Sequence, residues 1–194
     1  MLGAPPRGAA PRNGGRMTRL RVPVQLRWSD MDAYGHVNNV ELLRLLEEAR
    51  IEAFWAHPAP ADPLGDGSAP APAGPADRET WPTAVLDAGP GARTATLVAR
   101  QEVEYLRPLG YRRTPVVVDM WIGHLGGASI DVCYEVHDAS PDDSGAGPGP
   151  YARAVTTLVL VDAASGAPRR IGETERAAWL PYVEAAPTFR RRPR

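Results

Sequence analysis

Residues 21–56 decide how the chain folds: RVPVQLRW (21–28), SDMDAYGHVNN (29–39) and VELLRLLEEARIEAFWA (40–56). The first eight alternate, with Val22, Val24, Leu26 and Trp28 on one face and Arg21, Pro23, Gln25 and Arg27 on the other. A period of two marks a strand with one side in the core. Pro23 has no N–H for a ladder, which places this strand at a sheet edge or makes it start late. After residue 39 the period changes. Leu42, Leu46, Ala49 and Ala53 recur at helical spacing, and Leu45 and Ile51 widen the stripe. Glu41, Arg44, Glu47, Glu48, Arg50 and Glu52 fill most other positions. The pattern predicts an amphipathic helix over 39–56, about five turns long. Asn38 or Asn39 can cap it, Glu41 suits its positive end, and Pro58 stops it.

Outward from this unit, alternating runs at 94–105, 114–123, 129–137 and 151–162 predict four more strands. Gly126-Gly127 supplies a tight hairpin between two of them, and 140–150 a longer connection between the next two. Residues 83–86 can add a short strand and 173–180 a short helix. One helix after the first strand, then a meander, gives an α+β architecture: a curved antiparallel sheet around one long central helix. A single helix leaves much of such a sheet uncovered, so a homodimer or larger homo-oligomer is expected.

Pro and Gly divide the chain. Residues 1–18 read as a disordered leader. Residues 57–80 form a Pro-rich insertion and 139–150 a hairpin insertion, both poor in large apolar side chains and unable to offset their ordering entropy by burial. A single domain spans 19–183, and 184–194 form a basic tail. With 43% hydrophobic residues the chain can build one core. It contains no apolar run long enough for a membrane span and no secretory h-region, so a cytoplasmic protein is expected. Its net charge of −1 argues against a dedicated nucleic-acid binder. All 22 basic residues are arginine, a compositional bias that weakens the meaning of any one of them. A lone cysteine, Cys133, excludes an internal disulfide, and its place between Val132 and Tyr134 on a strand reads as a packed thiol. No metal-ligand spacing, P-loop, G-x-S-x-G or G-x-G-x-x-G is present, so neither metal nor cofactor is expected.

The connection 29–39 concentrates two carboxylates, an imidazole, two amides and a glycine, and it runs straight into a helix N-terminus. Unpaired N–H groups there polarise a carbonyl and stabilise an oxyanion. Asp32 stands a few residues upstream, where a carboxylate can attack such a carbonyl or activate a water. It can instead cap its own turn. Asp30 reads as structural, accepting loop N–H groups.

The run D-M-D-A-Y-G-H-V-N-N (30–39), followed by E-E-A-R (47–50), resembles the hotdog-fold acyl-CoA thioesterases, in particular 4-hydroxybenzoyl-CoA thioesterase-like enzymes. The resemblance extends to E-Y-L-R-P-L (104–109), L-G-G-A-S (125–129) and V-L-V-D (159–162). It implies a hotdog fold and hydrolysis of an acyl-CoA thioester without cofactor. Asp32 falls on the family's catalytic carboxylate. His36, Asn38 and Asn39 complete the catalytic set, and H-V-N-N also resembles plant acyl-carrier-protein thioesterases. Gly35 falls on the tight turn, and Val37 to Asn39 fall where backbone N–H groups grip the thioester oxygen. Tyr34 and the hairpin Ser129 join the substrate-binding set. Arg107, Arg112 and Arg113 are surface arginines that can form a patch for CoA phosphates. The alternatives are a non-catalytic acyl-CoA-binding or partner-binding protein, and an enzyme whose substrate is an acyl-carrier-protein thioester.

Overall fold

The computed structural model describes residues 18–56, 81–87, 89, 91–139 and 149–190. The leader, both insertions and the end of the tail fall wholly or largely outside these residues. The elements are β1 (Leu20–Val24), α1 (Asn39–Phe54), β2 (Thr94–Tyr105), β3 (Val116–Leu125), β4 (Ser129–Asp138), β5 (Ala152–Asp162) and α2 (Glu173–Trp179). Single 3-10 turns cover Trp28–Asp30 and Leu180–Tyr182. Among the described residues no helix is long and apolar enough to cross a membrane.

The five strands form one antiparallel sheet in the order β1-β3-β4-β5-β2. β1 is an edge strand, one of the two placements that Pro23 allows. The meander needs one correction: β2 does not pair with the strand that follows it. It lies at the far edge against β5, from Thr94 opposite Asp162 to Tyr105 opposite Ala152. Periodicity identifies a strand but not its neighbour. Residues 83–86 contribute only one isolated bridge, Leu86 with Trp55.

β1 also ends sooner than its alternation suggests. Leu26 is still buried, but Trp28 is 75% exposed and stands edge-on to Tyr111 at 5.4 Å. The cause is local. Asp30 accepts the Arg27 N–H at 2.7 Å and curls the chain into a 3-10 turn before Trp28 can reach the core.

α1 is 16 residues long. Leu42, Leu45, Leu46, Ala49, Ala53 and Phe54 are buried in one cluster with inward residues of β1, β3, β4 and β5. Burial of a leucine such as Leu45 or Leu46 contributes about 2 kcal/mol. Two helix positions reverse their expected roles: Ile51 is exposed, while Arg50 is 3% exposed. Arg50 follows Leu46 by four residues and so shares its face.

The opposite face of the sheet meets the end of the predicted domain and the start of the basic tail. Val183 bridges Ile122, the Glu184 N–H reaches the Ile122 carbonyl at 3.0 Å, and Trp121 Nε1 donates to the Ala185 carbonyl at 3.0 Å. Arg19 grips Glu184 and Glu135 and lies 3.7 Å from the centre of the Trp121 ring. Burial there raises the Cys133 thiol to about 12, as befits a packed thiol.

Candidate active site

The turn between β1 and α1 is built by backbone pairing. Met31 bridges Val37, and the Asp32 N–H donates to the His36 carbonyl at 2.7 Å. Gly35 closes the turn at φ +76°, a conformation that costs side-chain-bearing residues. The turn is fastened to the segment after β2: His36 bridges Gly110, and the Val37 N–H reaches the Leu109 carbonyl at 2.7 Å.

Asp30 and Asp32 have separate tasks. Asp30 is buried; it takes the Arg27 N–H on Oδ2 and Arg44 Nη2 on Oδ1, each at 2.7 Å. Arg44 also holds Glu41 and Glu48, so one side chain ties the turn to the helix. Asp32 is half-buried and receives the Tyr34 and His36 N–H groups on one oxygen, Oδ1, at 2.8 and 3.1 Å. Among the described residues Oδ2 has no donor. The His36 N–H, then that of Tyr34 and the neighbouring imidazole, hold this carboxyl below the usual aspartate range, against a smaller opposing effect of burial. At neutral pH Asp32 is an anion with one oxygen that meets no donor among the described residues.

The helix end divides its donors unequally. Asn38 is the N-cap, accepting the Val40 N–H on Oδ1 at 2.9 Å. Its own N–H is committed to the Asp30 carbonyl at 2.8 Å, and that of Val37 to Leu109. Val37 and Asn38 therefore cannot offer a ligand their amides, as the resemblance implied. The amides of Asn39 and Glu41 have no acceptor among the described residues, which leaves them pointing out of the helix at its positive pole. The Asn39 carbonyl accepts a long bond, 3.4 Å, from the Tyr105 hydroxyl. The side chains of Tyr34, His36 and Asn39 are exposed.

The remaining expected residues scatter. Arg107 and Arg112 stand at the same end of the sheet, but both are engaged. Arg107 lies 3.5 Å over the Tyr151 ring and reaches Gly149 and Asp138. Arg112 pairs with Asp138 and donates to the Tyr151 hydroxyl at 2.7 Å. Arg113 is exposed and has no partner among the described residues. Ser129 begins β4 and Asp138 ends it. Ten residues at about 3.3 Å each put Ser129 some 30 Å from the turn within one chain. Sequence reasoning missed Arg44, Tyr105 and the Asp138–Tyr151 pair. Arg44 carried a signal, at three residues from Glu41 and four from Glu48, and Tyr105 lay in the E-Y-L-R-P-L run at 104–109. Among the described residues no three His, Cys, Asp or Glu side chains gather where a metal ion could be held.

A profile of the thioesterase-like superfamily matches residues 26–187. Solved structures resemble the chain over most of both lengths. A candidate thioesterase from Pseudomonas aeruginosa is 27% identical, with a TM-score of 0.55 over 84% of this chain and 97% of the other. A candidate acyl-CoA thioesterase from Xanthomonas campestris is 25% identical, with a TM-score of 0.51 over 78% and 97%. A thioesterase from Thermus thermophilus, complexed with coenzyme A and zinc, is 25% identical, with a TM-score of 0.51 over 82% and 90%. No curated protein matches the chain.

Proposed function

The chain belongs to the thioesterase-like superfamily, and from that membership we propose that it is a hotdog-fold acyl-CoA thioesterase, its sheet wrapped around α1. The observation that carries this reading is the pairing of an anionic Asp32, Oδ2 unbonded, with the open amides of the first turn of α1. The thioester carbonyl accepts from the Asn39 N–H, with Glu41 N–H as the second donor. Negative charge growing on that oxygen is stabilised by donors already in place. Asp32 supplies the electron pair in one of two ways. It attacks the carbonyl carbon, expelling CoA thiolate and leaving a mixed anhydride for water to open, or it takes a proton from the water that attacks. His36 stands beside it with its ring exposed. Arg113, exposed and without a partner among the described residues, meets the CoA phosphates.

The Xanthomonas and Thermus relatives support CoA as the carrier, since one is described as an acyl-CoA thioesterase candidate and the other binds coenzyme A. A specific observation favours the non-catalytic reading: Asp32 caps its own turn through Oδ1. The two separate in one experiment. Thiol release is followed over a panel of short, long and aryl acyl-CoA esters, with matching acyl-carrier-protein thioesters. Turnover of CoA esters supports the hydrolase. Micromolar binding without thiol release supports the binder, and turnover of carrier-protein esters alone shifts the substrate.

A second copy completes the fold in this reading. β2 has β5 on one side and no described strand on the other, and its Leu97 and Val98 are 55% and 48% exposed. A strand of 12 residues with an open edge is a pairing surface. Light scattering should give twice 20.9 kDa or more; a fully active monomer contradicts the assembly.

A further inference from the structure

A groove beside α1 contains a buried charge that the fold leaves incompletely bonded. Two cavities, of about 480 and about 300 Å³, lie between α1 and β2 and share Glu47, Arg50 and Val98 in their walls. The smaller begins at Val40 and Leu43, next to Asn39; the larger continues past Ile51 to Trp55. An acyl chain whose carbonyl sits at the Asn39 amide has this groove as its continuation.

Arg50 is 3% exposed. Its Nη1 donates to the Tyr134 hydroxyl at 3.1 Å, and Nη2 reaches Glu47 only at 3.4 Å. Its Nε is buried without an acceptor among the described residues. Arg44, in the same wall, differs: all three of its nitrogens meet carboxylates. A buried N–H with no acceptor is costly, and a bound group that accepts from it recovers that cost. Glu47 restricts what that group can be. Its carboxylate lines the same groove beside Arg50 and repels a second anion. A hydroxyl suits both, accepting from Arg50 Nε–H and donating to Glu47.

We propose that Arg50 and Glu47 select acyl thioesters that carry a hydroxyl far from the carbonyl. The proposal rests on the thioesterase reading of the Asp32 turn. Arg50 follows Asn39 by eleven residues, about 16 Å along the axis, and helical side chains lean back toward the N-terminus, so the hydroxyl lies roughly 10–16 Å from the carbonyl. A terminally hydroxylated chain of about eight to twelve carbons meets that span.

The test compares kcat/KM for pairs of CoA esters, alkyl and terminally hydroxylated, at chain lengths from about six to sixteen carbons. The native protein should favour the hydroxylated member at least tenfold at one intermediate length, the preference fading on either side. Glu47→Ala, at a half-exposed helix position where alanine is well tolerated, should bring the ratio to within about twofold of one. Arg50→Met should do the same. Equal rates for both members at every length, or a full preference retained in Glu47→Ala, overturns the proposal. So does an Arg50→Met protein that changes oligomeric state but keeps the ratio, because the open N–H then serves a second copy. Equal hydrolysis of both members leaves the thioesterase reading standing. If neither is hydrolysed, that reading fails, and calorimetric dissociation constants of the same pairs still decide selection, by the same tenfold criterion.

Discussion

The two ends of the sheet invite comparison. Each has a glycine-containing turn, an arginine pair and several polar groups, yet they dispose of them differently. At the β3–β4 hairpin the carbonyls of Gly126, Gly127 and Ala128 accept from Arg176, Ile171 and Leu160 at 2.6, 2.8 and 2.9 Å. Arg169 is held by Glu175 and Thr94. At the other end the fold also serves itself, through Asp30, Arg44, Arg107 and Arg112, but among the described residues it leaves without a hydrogen-bond partner Asp32 Oδ2, the amides of Asn39 and Glu41, the His36 ring and Arg113. Polar groups that complete a structure give it stability. Those left over beside a helix terminus are what a substrate can use.

The largest expected effect is at Asp32. Asparagine still accepts the Tyr34 and His36 amides on its side-chain oxygen, so the fold should survive and the melting temperature move little. Turnover should fall at least about 10²-fold because the anion is gone; thiol release and a thermal melt check both parts. Because the folded carboxyl titrates below its ordinary value, the anion and its rate should persist as pH falls to about 4. The stabilisation linked to this group is complete above the unfolded value and disappears as pH drops through the folded one.

Arg44→Ala tests the structural half of the same turn. It strands the buried Asp30 carboxylate with one N–H bond, at a cost of about 3 kcal/mol in denaturant unfolding. Unchanged stability would show that Arg44 does not hold the turn.

Glu135, on the sheet's outer face, is a control for acid effects unrelated to chemistry. His137, then Arg153 and Arg19, lower it to about 2. A depressed carboxylate stabilises above its unfolded value and loses that contribution as pH falls toward the folded one. Glu135→Gln should therefore cost about 2 kcal/mol at neutral pH, with the difference closing between about pH 4.5 and 2. Arg113→Ala should be milder: KM for CoA esters up about threefold, kcat and stability unchanged, and the effect weakened by salt.

Much of the fold was legible from periodicity, which reports burial in β1, β3, β4, β5 and α1, although β2 keeps its predicted bounds while burying none of its residues. β2 matched its predicted bounds, β4 and β5 came within one residue, and the buried stripe of α1 followed the heptad-like spacing of Leu42, Leu46, Ala49 and Ala53. Partner choice was not legible, since the period of β2 is the same beside β3 or β5. Nor was the hold of residues 183–185 on the sheet, which combines backbone bonds at Val183 and Glu184 with side-chain contacts from Trp121 and Arg19, both distant in the chain. In the candidate site, residue types and their order pointed to the turn, but the free donors were hidden. Whether the Val37 or the Asn39 amide is open depends on Leu109, seventy residues away. Arg50 was misread because charge outweighed its position on the Leu46 face.

The most direct test of the oxyanion site removes one N–H. Asn38 has extended geometry and Asn39 opens α1, a setting in which proline is well accommodated. Asn39→Pro should leave melting temperature and binding of a non-hydrolysable acyl-CoA analogue close to those of the native protein. Its turnover of acyl-CoA should fall about 10²- to 10³-fold, the usual loss for one oxyanion donor. Turnover within about twofold of the native rate, in a folded protein that still binds the analogue, would contradict the assignment of the helix end as the oxyanion site.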